Sequence, residues 1–357
     1  MQYVGSQVLK QTLNGCSVKR DVSIIKSVKG EIKMEKSDLS TLDGVGPAIA
    51  SKFRSAGITT TEAIVVTPPR ELSEKTGVGF NTVLKIVEAA RKSSGIDFIT
   101  AEELWKKRQN MLKLSTGSNS LNELLGGGIE SQAMTELIGE FGVGKTQICL
   151  MLSVLAQLPL EKGGLGGKVV YMDTEGTFMP ERIFEIASEL ELNPHETLEN
   201  IFLARVYNSS HQCLLTGHLF KFCPENNIKL VIVDSMIGHF RSEYIGREHL
   251  AERQQKLNDL LHKLLRLTEA FNLSVVVTNQ VQANPAQFFG DPNKPAGGHV
   301  MAHACTHRIY LRKGSQGTRI ARVIDSPSLP NNATRFKITE KGIEDVQEQA
   351  KKKDEGN

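Results

Sequence analysis

Residues 139–146 have the residue types and the spacing of a phosphate-binding loop. Their sequence, Gly-Glu-Phe-Gly-Val-Gly-Lys-Thr, fits the pattern G-x-x-x-x-G-K-[ST]. The glycines let the backbone turn tightly and direct its N–H groups toward a phosphate. Lys145 can reach the β- and γ-phosphates of a nucleotide, and the Thr146 hydroxyl can ligate Mg²⁺. The segment therefore predicts a nucleotide site that uses Mg²⁺.

The residues on either side of the loop support this interpretation. Residues 134–138 predict a short strand, and residues 146–158 predict an apolar helix whose N-terminus favours an anion. The alternative, a glycine-rich turn that happens to contain Lys-Thr, does not account for both flanks. We expect the following residues to line the nucleotide: Gly139, Glu140, Phe141, Gly142, Val143, Gly144, Lys145, Thr146 and Gln147.

A buried apolar strand that ends in an acid predicts the second half of the same site. Residues 229–234 read Lys-Leu-Val-Ile-Val-Asp. We expect the carboxylate of Asp234 to hold Mg²⁺ directly or through a water molecule. Apolar strands that end in aspartate are common, but a position downstream of a phosphate loop favours the functional interpretation.

Predicted strands and helices alternate from about residue 114, which is typical of a wound α/β sheet. Further strands are expected at residues 168–172, 201–205 and 273–278, and residues 306–313 and 319–325 predict an antiparallel hairpin at the sheet edge. Residues 248–271 predict a long amphipathic helix. Its apolar face is expected to contain Leu250, Leu257, Leu261 and Leu264.

A polar loop rich in glycine, proline and asparagine runs from Val281 to Gly298. It is too polar for a core element and too long for an ordinary connection. Long loops without secondary structure are usually functional in compact domains, so we expect a functional role for this one.

Two Gly-x-Gly turns, at residues 44–46 and 77–79, are each followed by a helical pattern. The predicted apolar stripes contain Ile49, Ala50 and Phe53 after the first turn, and Val83, Leu84, Val87 and Ala90 after the second. Such a turn exposes N–H groups at a helix N-terminus, where a DNA phosphate can bind without base readout. The expected DNA contacts are Gly44, Gly46, Gly77 and Gly79. The alternative is two ordinary helix–helix turns that only pack.

Composition limits the class of protein but does not identify it. The 357 residues allow about two domains, and 39% apolar and 23% charged residues are normal for a globular protein. A net charge of +3 is too small to indicate nucleic acid by itself. The five cysteines have no zinc-site spacing, and their odd number favours a reduced, intracellular compartment. Because no apolar run approaches roughly 20 residues, we expect no membrane partner.

The two ends of the chain differ from its centre. Residues 1–36 have weak periodicity and a basic excess, which predict a disordered extension, and we expect translation in the cell to start at Met34. We divide the rest into a helical domain (37–93), a linker (94–113), an α/β core (114–345) and a disordered tail (346–357).

Taken together and in order, these motifs resemble the archaeal RadA-type family of DNA recombinases, relatives of bacterial RecA. The resemblance covers about residues 37–345. It rests on residues 42–47, 76–80, 98–101, 114–117, 125–128, 139–146, 173–178 (Asp-Thr-Glu-Gly-Thr-Phe), 230–234, 239–244, 279–281 and 325–327. It implies a RecA-like P-loop ATPase core with a twisted, mostly parallel sheet, preceded by a small all-α helix-hairpin-helix domain.

The resemblance also implies an activity. The protein would be a DNA-dependent ATPase that uses ATP and Mg²⁺, forms homo-oligomeric filaments or rings, and exchanges strands between single-stranded and double-stranded DNA. Recombination mediator proteins would be further partners, and the location would be the cytoplasm, at the nucleoid. The rival interpretation is a non-catalytic recombinase paralogue, an ATP-switched DNA-binding assembly factor. Such paralogues tend to lack the helical domain or the linker motif, and this chain has both.

The resemblance assigns roles to four residues around the nucleotide. Glu175 matches the glutamate that activates the attacking water, and Arg182 matches an arginine that stacks on adenine. Gln280 matches the γ-phosphate sensor that leads into the second DNA-binding loop. His303 matches a second sensor on the far side of that loop.

Other matches concern DNA and neighbouring subunits. Arg241 and Arg247 match the first DNA-binding loop, and the loop from Val281 to Gly298 matches the second. Asp325 and Pro327 match a segment that caps the ATP of a neighbouring subunit.

The linker residues Phe98 and Ala101 match an anchor that inserts into the next subunit. An exposed aromatic residue in a flexible segment is costly unless it finds a pocket, which favours the same conclusion. The alternative is that Phe98 folds back on its own chain.

Two positions depart from the family pattern. Met179 stands where arginine is usual, which removes a positive charge near the nucleotide. Val143 stands where serine is common in the phosphate loop, and we expect little effect because this position supplies mainly backbone.

Overall fold

The computed structural model describes residues 39–94, 98–283 and 293–346. The predicted N-terminal extension, the expected start at Met34 and all but the first residue of the predicted tail lie outside these ranges. The helical domain begins with a short 3-10 helix, Leu39–Thr41. Its four α-helices are α1 (Pro47–Ser55), α2 (Thr61–Val66), α3 (Pro69–Thr76) and α4 (Phe80–Ser93).

Each Gly-x-Gly turn ends at the N-terminus of a helix, as the sequence predicts. Gly46 precedes α1 and Gly79 precedes α4. Gly44 and Gly77 have φ angles of 82° and 65°, a left-handed conformation that favours glycine. All four glycines are exposed.

One member of the predicted apolar stripes is wrong. Leu84 is 42% exposed, and the buried face of α4 instead contains Val83, Ile86, Val87 and Ala90. Successive helix residues are rotated by about 100°, so Leu84 lies a quarter turn away from Val83 and outside that face.

Helix α5 (Ala101–Gln109) lies within the linker and has no buried residue. A capping box starts it: the Thr100 hydroxyl accepts the Glu103 N–H at 3.2 Å, and the Glu103 carboxylate accepts the Thr100 N–H at 2.8 Å. The helix is therefore stabilised locally rather than by a core of its own.

The rest of the described chain is an α/β domain with three sheets. The strands are β1 (Lys113–Leu114), β2 (Ile129–Glu130), β3 (Met134–Gly139), β4 (Lys168–Asp173), β5 (Ile201–Arg205), β6 (Ile228–Asp234), β7 (Ser274–Asn279), β8 (Val281–Ala283), β9 (Asn293–Pro295), β10 (His307–Lys313), β11 (Arg319–Asp325), β12 (Ala333–Thr339) and β13 (Gly342–Asp345). The main sheet has nine strands in the order β13-β12-β11-β10-β3-β7-β6-β4-β5, and β1-β2 and β8-β9 form separate antiparallel pairs.

Strands β10, β3, β7, β6, β4 and β5 run parallel, and β11 to β13 continue the sheet antiparallel. Every residue of β3 and β7 is buried, which is expected for central strands covered on both faces. The predicted mostly parallel α/β core is confirmed.

The predicted position of the hairpin β10–β11 at the sheet edge is wrong, because β12 and β13 extend the sheet beyond it. Residues 335–338 (Arg-Phe-Lys-Ile) alternate between charged and apolar side chains, and Phe336 is buried. This period-2 pattern could have identified β12 from the sequence.

Helices cover the sheet. They are α6 (Asn119–Leu124), α7 (Lys145–Leu155), α8 (Pro180–Glu189), α9 (Pro194–Glu199), α10 (Ser209–Glu225), α11 (Gly238–Glu243), α12 (Leu250–Phe271) and α13 (Gly298–Ala304), with a 3-10 helix at Leu160–Lys162. Leu257, Leu261 and Leu264 are buried as predicted, but Leu250 is 43% exposed because it is the first residue of α12.

The two ends of the loop from Val281 to Gly298 contain secondary structure that the sequence analysis did not predict. Its ends pair as β8 and β9, and α13 begins at Gly298; residues 284–292 lie outside the described ranges.

The helical domain packs on α10 and α12 of the core. Glu71 forms an ion pair with Arg266 at 2.9 Å, and Lys75 lies 5.6 Å from the centre of the Phe220 ring. Buried residues of both parts form one continuous hydrophobic cluster. The two domains therefore share packing as well as charge contacts.

Candidate nucleotide and DNA site

The predicted nucleotide residues meet at one edge of the main sheet. The phosphate loop follows β3, Asp173 ends β4, Asp234 ends β6, and Gln280 follows β7. These strands are parallel neighbours, so their carboxyl ends face the same crevice, where ligands of open α/β sheets bind.

The phosphate loop has the backbone that its glycines predict. Gly142 and Gly144 have φ angles of 75° and 106°, and a Cβ atom at Gly144 would lie 2.5 Å from Ile338. Val143 is 1% exposed, so its side chain packs in the core and the position supplies only backbone to the loop surface. Phe141, in contrast, is 91% exposed.

Lys145 is folded onto the loop. Its ammonium donates to the carbonyl oxygens of Gly139 at 2.8 Å and Glu140 at 2.9 Å. Burial lowers the pKa of Lys145, while the charges of Asp234 and Glu175 oppose that shift. A half-buried cation with neutral acceptors is stabilised by an anion, so the position suits a phosphate.

Three hydroxyl groups hold the carboxylate of Asp234, which is 2% exposed. It accepts from Thr146 at 2.7 Å, from Tyr171 at 2.8 Å and from Thr278 at 2.5 Å. Burial raises the pKa of Tyr171 well above its usual value, so this phenol stays a neutral donor.

The oxygens of Thr146 and Asp234 fit Mg²⁺, which prefers hard oxygen ligands and takes few of them from protein. Among the described residues, no cluster of three or more His, Cys, Asp or Glu side chains could hold a metal ion. A cation here would thus share its coordination with phosphate and water.

Asp173 organises the loop that carries Glu175. Its carboxylate accepts backbone N–H groups from Glu175 at 3.1 Å, Gly176 at 2.7 Å, Thr177 at 3.2 Å and Phe178 at 3.3 Å. Sequence reasoning assigned no role to Asp173. An aspartate just before a glycine-containing turn is the signal that could have revealed it.

Arg205 completes that loop from the adjacent strand β5. Its guanidinium lies 3.2 Å from the carboxylate of Asp173, and a Cβ atom at Gly176 would lie 2.6 Å from it. Sequence reasoning also missed this contact.

Glu175 and Gln280 are in direct contact. The Gln280 amide donates to the Glu175 carboxylate at 2.8 Å, although the two residues are 105 positions apart. The exposed Glu175 thus lies at the crevice, next to the residue that directly precedes the predicted second DNA loop. His303 lies on α13 and stacks on His299, with ring centroids 6.1 Å apart.

Arg182 connects the nucleotide site to the turn between β12 and β13. Its guanidinium donates to Gln147 at 3.0 Å and to the carbonyl oxygen of Glu340 at 3.0 Å, and it also contacts Thr339. The exposed Met179 precedes α8. The predicted adenine contact therefore lies beside α7, as the site requires.

Asp325 and Pro327 are not brought to the phosphate loop of their own chain. Asp325 pairs with Arg308 near the start of β10, whereas Gly139 at the end of β3 pairs with Leu311. Because β11 runs antiparallel, its last residue, Asp325, lies at the amino ends of the parallel strands. That position is about 10 Å along the strands from the Gly139–Leu311 pair. Both residues are exposed.

The two predicted DNA loops touch each other. With its amide oxygen facing Arg241, Gln282 accepts from the guanidinium at 3.1 and 3.2 Å. Arg241 lies on α11 and Gln282 on β8, two residues after Gln280. Arg247, between α11 and α12, is exposed.

The predicted anchor residues lie on the surface of the described chain. Phe98 is 104% exposed, and Ala101 is the exposed first residue of α5. No described helix has both the length and the apolar character needed to cross a membrane.

Comparison with known proteins agrees with these observations. A family model described as Rad51 matches residues 107–346, and a model described as a SAM-like helix-hairpin-helix tandem matches residues 36–92. The chain is similar to a protein from Aeropyrum pernix named DNA repair and recombination protein RadA. The two are 53% identical over 316 residues, which is 88% of this chain and 99% of that protein.

Proposed function

The chain belongs to the Rad51 family, and we propose from that premise that it is a DNA-dependent ATPase that assembles on single-stranded DNA and exchanges strands with a homologous duplex. The observation that carries this proposal is the contact between Glu175 and Gln280. It joins the predicted hydrolytic residue to the residue from which the predicted DNA loop starts.

ATP binds in the crevice with its phosphates on the N–H groups of residues 139–146 and on Lys145. Thr146 and Asp234 would hold Mg²⁺, which would neutralise charge on the phosphate oxygens. Asp173 holds the loop so that Glu175 can take a proton from the attacking water. Arg182 and Gln147 line the adenine side of the crevice.

Gln280 couples the nucleotide to DNA. Its amide donates to Glu175 at 2.8 Å, and an added γ-phosphate offers that amide a second anionic acceptor. Movement of Gln280 carries Gln282, and Gln282 contacts Arg241 on the first DNA loop. Because binding free energies are linked, ATP and DNA raise each other's affinity by the same factor.

DNA is held mainly through its backbone. Arg241, Arg247, the loop from Val281 to Gly298 and the exposed Gly44, Gly46 and Gly79 of the two Gly-x-Gly turns offer positive charge and backbone donors to phosphates. The N–H of Gly77 donates to Ser73 at 3.0 Å, so this glycine contributes through the shape of its turn. Base pairing between the two DNA molecules selects the partner sequence. Binding is therefore salt-dependent and nearly neutral to sequence.

Subunits associate head to tail. Phe98 and Ala101 pair with a free sheet edge of the next subunit, and the edge strand β5 has an exposed apolar residue, Leu203, at 49%. Asp325 and Pro327 cover the ATP of a neighbouring subunit. Their position at the amino ends of the parallel strands, away from their own phosphate loop, supports this arrangement. A contact of this kind propagates as a filament or closes as a ring. We also infer a cytoplasmic location at the nucleoid and mediator proteins as further partners.

The rival function is that of an assembly factor that binds ATP and DNA but exchanges nothing. A strand-exchange assay with ATP and Mg²⁺ separates the two, using a homologous duplex and a mismatched duplex of equal length. We expect product from the homologous duplex alone, and none from Lys145→Ala. Binding of both DNAs without exchange would establish the rival and overturn our proposal.

A further inference from the structure

A chain of mostly buried polar contacts runs between two elements that the nucleotide site does not use. Arg108 of α5 lies 2.6 Å from Glu130 of β2, and Glu130 lies 3.4 Å from Nε2 of His307 at the start of β10. The other ring nitrogen, Nδ1, lies 3.0 Å from the hydroxyl of Ser326. The side chains of Glu130 and His307 are only 8% and 4% exposed.

The hydrogen-bond pattern fixes the tautomer of His307. The Ser326 hydroxyl accepts the backbone N–H groups of Ser328 at 3.2 Å and Leu329 at 3.0 Å. A hydroxyl has two acceptor positions and one proton, so its proton must go to Nδ1. Nε2 then carries the ring proton and faces Glu130.

One end of this chain of contacts stabilises the Glu130 carboxylate, and the other end stabilises a backbone turn at Ser326. The contact from Nε2 of His307 to Glu130, at 3.4 Å, is longer than an ordinary hydrogen bond. The His307 ring nevertheless lowers the pKa of Glu130 despite burial, and the Arg108 charge contributes in the same direction. The carboxylate is thus kept ionised between a cation and a ring N–H. At the other end, Ser326 closes the turn that follows Asp325.

We propose that His307 is a positioning residue, which holds the cap segment (residues 325–327) at a fixed place relative to helix α5. This inference rests on the proposed function, because the cap segment and α5 are the two elements that reach neighbouring subunits there. Helix α5 has no buried residue, so its contact with Glu130 fixes it where packing does not.

The physical consequence concerns ATP bound between subunits. A neighbour engaged by Phe98 must also meet the cap segment in the right position, and two mobile elements would lose conformational entropy on docking. A preset distance between them removes part of that cost. His307 therefore acts on apparent ATP affinity in the assembled protein, not on the chemical step.

Three variants test this role. His307→Leu fills a similar volume without polar atoms, His307→Asn keeps an acceptor near the position of Nδ1, and Ser326→Ala removes the hydroxyl from a half-buried site. We expect His307→Leu and Ser326→Ala to raise the KM for ATP in DNA-stimulated hydrolysis by about tenfold, with kcat changed less than about twofold. We expect His307→Asn to raise the KM for ATP about as much as His307→Leu does, because it lacks the ring N–H that faces Glu130 and so breaks the connection to α5.

The double variant His307→Leu, Ser326→Ala sharpens the test. Substitutions within one chain of contacts do not have additive effects, so the KM of the double variant should match that of either single variant. Thermal unfolding of each variant shows whether the fold is kept, and Ser326→Ala is testable even if His307→Leu fails to fold.

The inference is wrong if Ser326→Ala has a wild-type KM, or if the two changes multiply to about a hundredfold. It is also wrong if kcat falls while KM stays constant. These outcomes differ from a failure of the proposed function, in which the wild-type protein itself would show no DNA-stimulated ATPase activity.

Discussion

The crevice at the carboxyl edge of the sheet and the surface elements that face other molecules are built in opposite ways. Asp234 is 2% exposed and held by three hydroxyls, whereas Phe98 is 104% exposed. Within the described residues, the carboxylates of Asp173 and Asp234 find their hydrogen-bond donors in one chain. The exposed anchor and cap segment have their proposed sites on a second chain. The residues that we propose for ATP hydrolysis are thus in place in one subunit, whereas the anchor and the cap segment need a second subunit.

The largest expected effect is on the prepared crevice. Lys145→Ala removes the main counter-charge of the phosphates and should weaken ATP binding by at least about a hundredfold, from about 3 kcal/mol of lost interaction. Equilibrium binding of a fluorescent ATP analogue measures this, with the exposed Lys162→Ala as the matched control. Equal affinities for the two variants would contradict the assigned phosphate site.

Glu175→Gln separates binding from chemistry in the same crevice. Turnover should fall by roughly 10²–10⁴-fold because the proton acceptor is lost, while ATP affinity stays within about threefold of wild type. Single-turnover hydrolysis beside binding tests this. Wild-type hydrolysis by Glu175→Gln would show that another group activates the water.

Phe98→Glu addresses the exposed side of the comparison. A charge placed in an apolar pocket of the neighbour costs several kcal/mol, so the variant should stay a folded monomer and exchange no strands. Light scattering with ATP measures assembly. Phe80→Glu is the matched control, since Phe80 is also exposed, at 46%, but lies on the helical domain.

Two outcomes for Phe98→Glu would break the comparison. If the variant assembles like wild type, Phe98 is not an anchor. If it unfolds, Phe98 packs on its own chain and the surface is less dependent on a partner than we infer.

Arg247→Ala should have a moderate effect that is confined to DNA. Loss of one phosphate contact should weaken single-strand binding about equally on all sequences and reduce the salt slope by about one unit. Fluorescence anisotropy at several salt concentrations measures both quantities. A loss restricted to certain base compositions would indicate base readout instead.

The smallest effect concerns a carboxylate with a purely structural role. Burial raises the pKa of Asp345, but hydrogen bonds from Ser118, Ser120 and the backbone of α6 outweigh it and lower the pKa to about 2. A lowered pKa stabilises the fold above the unfolded value near 3.8, and this contribution is lost as the pH falls from about 4 to 2.

Asp345→Asn should therefore flatten the pH dependence of unfolding between about pH 4 and 2 and leave ATP binding unchanged. Chemical denaturation at a series of pH values provides the measurement. A change in ATP affinity at neutral pH would mean that Asp345 belongs to the crevice, and the contrast with Asp234 would fail.

Local sequence determined the parts of the molecule whose residues act together within one turn or one strand. The phosphate loop, the acid at the end of β6 and both Gly-x-Gly turns were predictable, because glycine conformation and apolar runs are local properties. The β12 strand was predictable in principle from its alternation. The exposure of Leu84 was not predictable in this way, because the apolar pattern alone did not show which face of α4 packs against the rest of the domain.

Only the tertiary structure decided which distant residues meet. The contacts of Glu175 with Gln280 and of His307 with Ser326 join separate strands or loops, and Arg205 reaches Asp173 from the neighbouring strand. Strand order sets these meetings, and strand order depends on how the whole chain buries its apolar faces. A single sequence specifies that packing but does not display it, which is why the crevice residues were predictable one by one and their contacts were not.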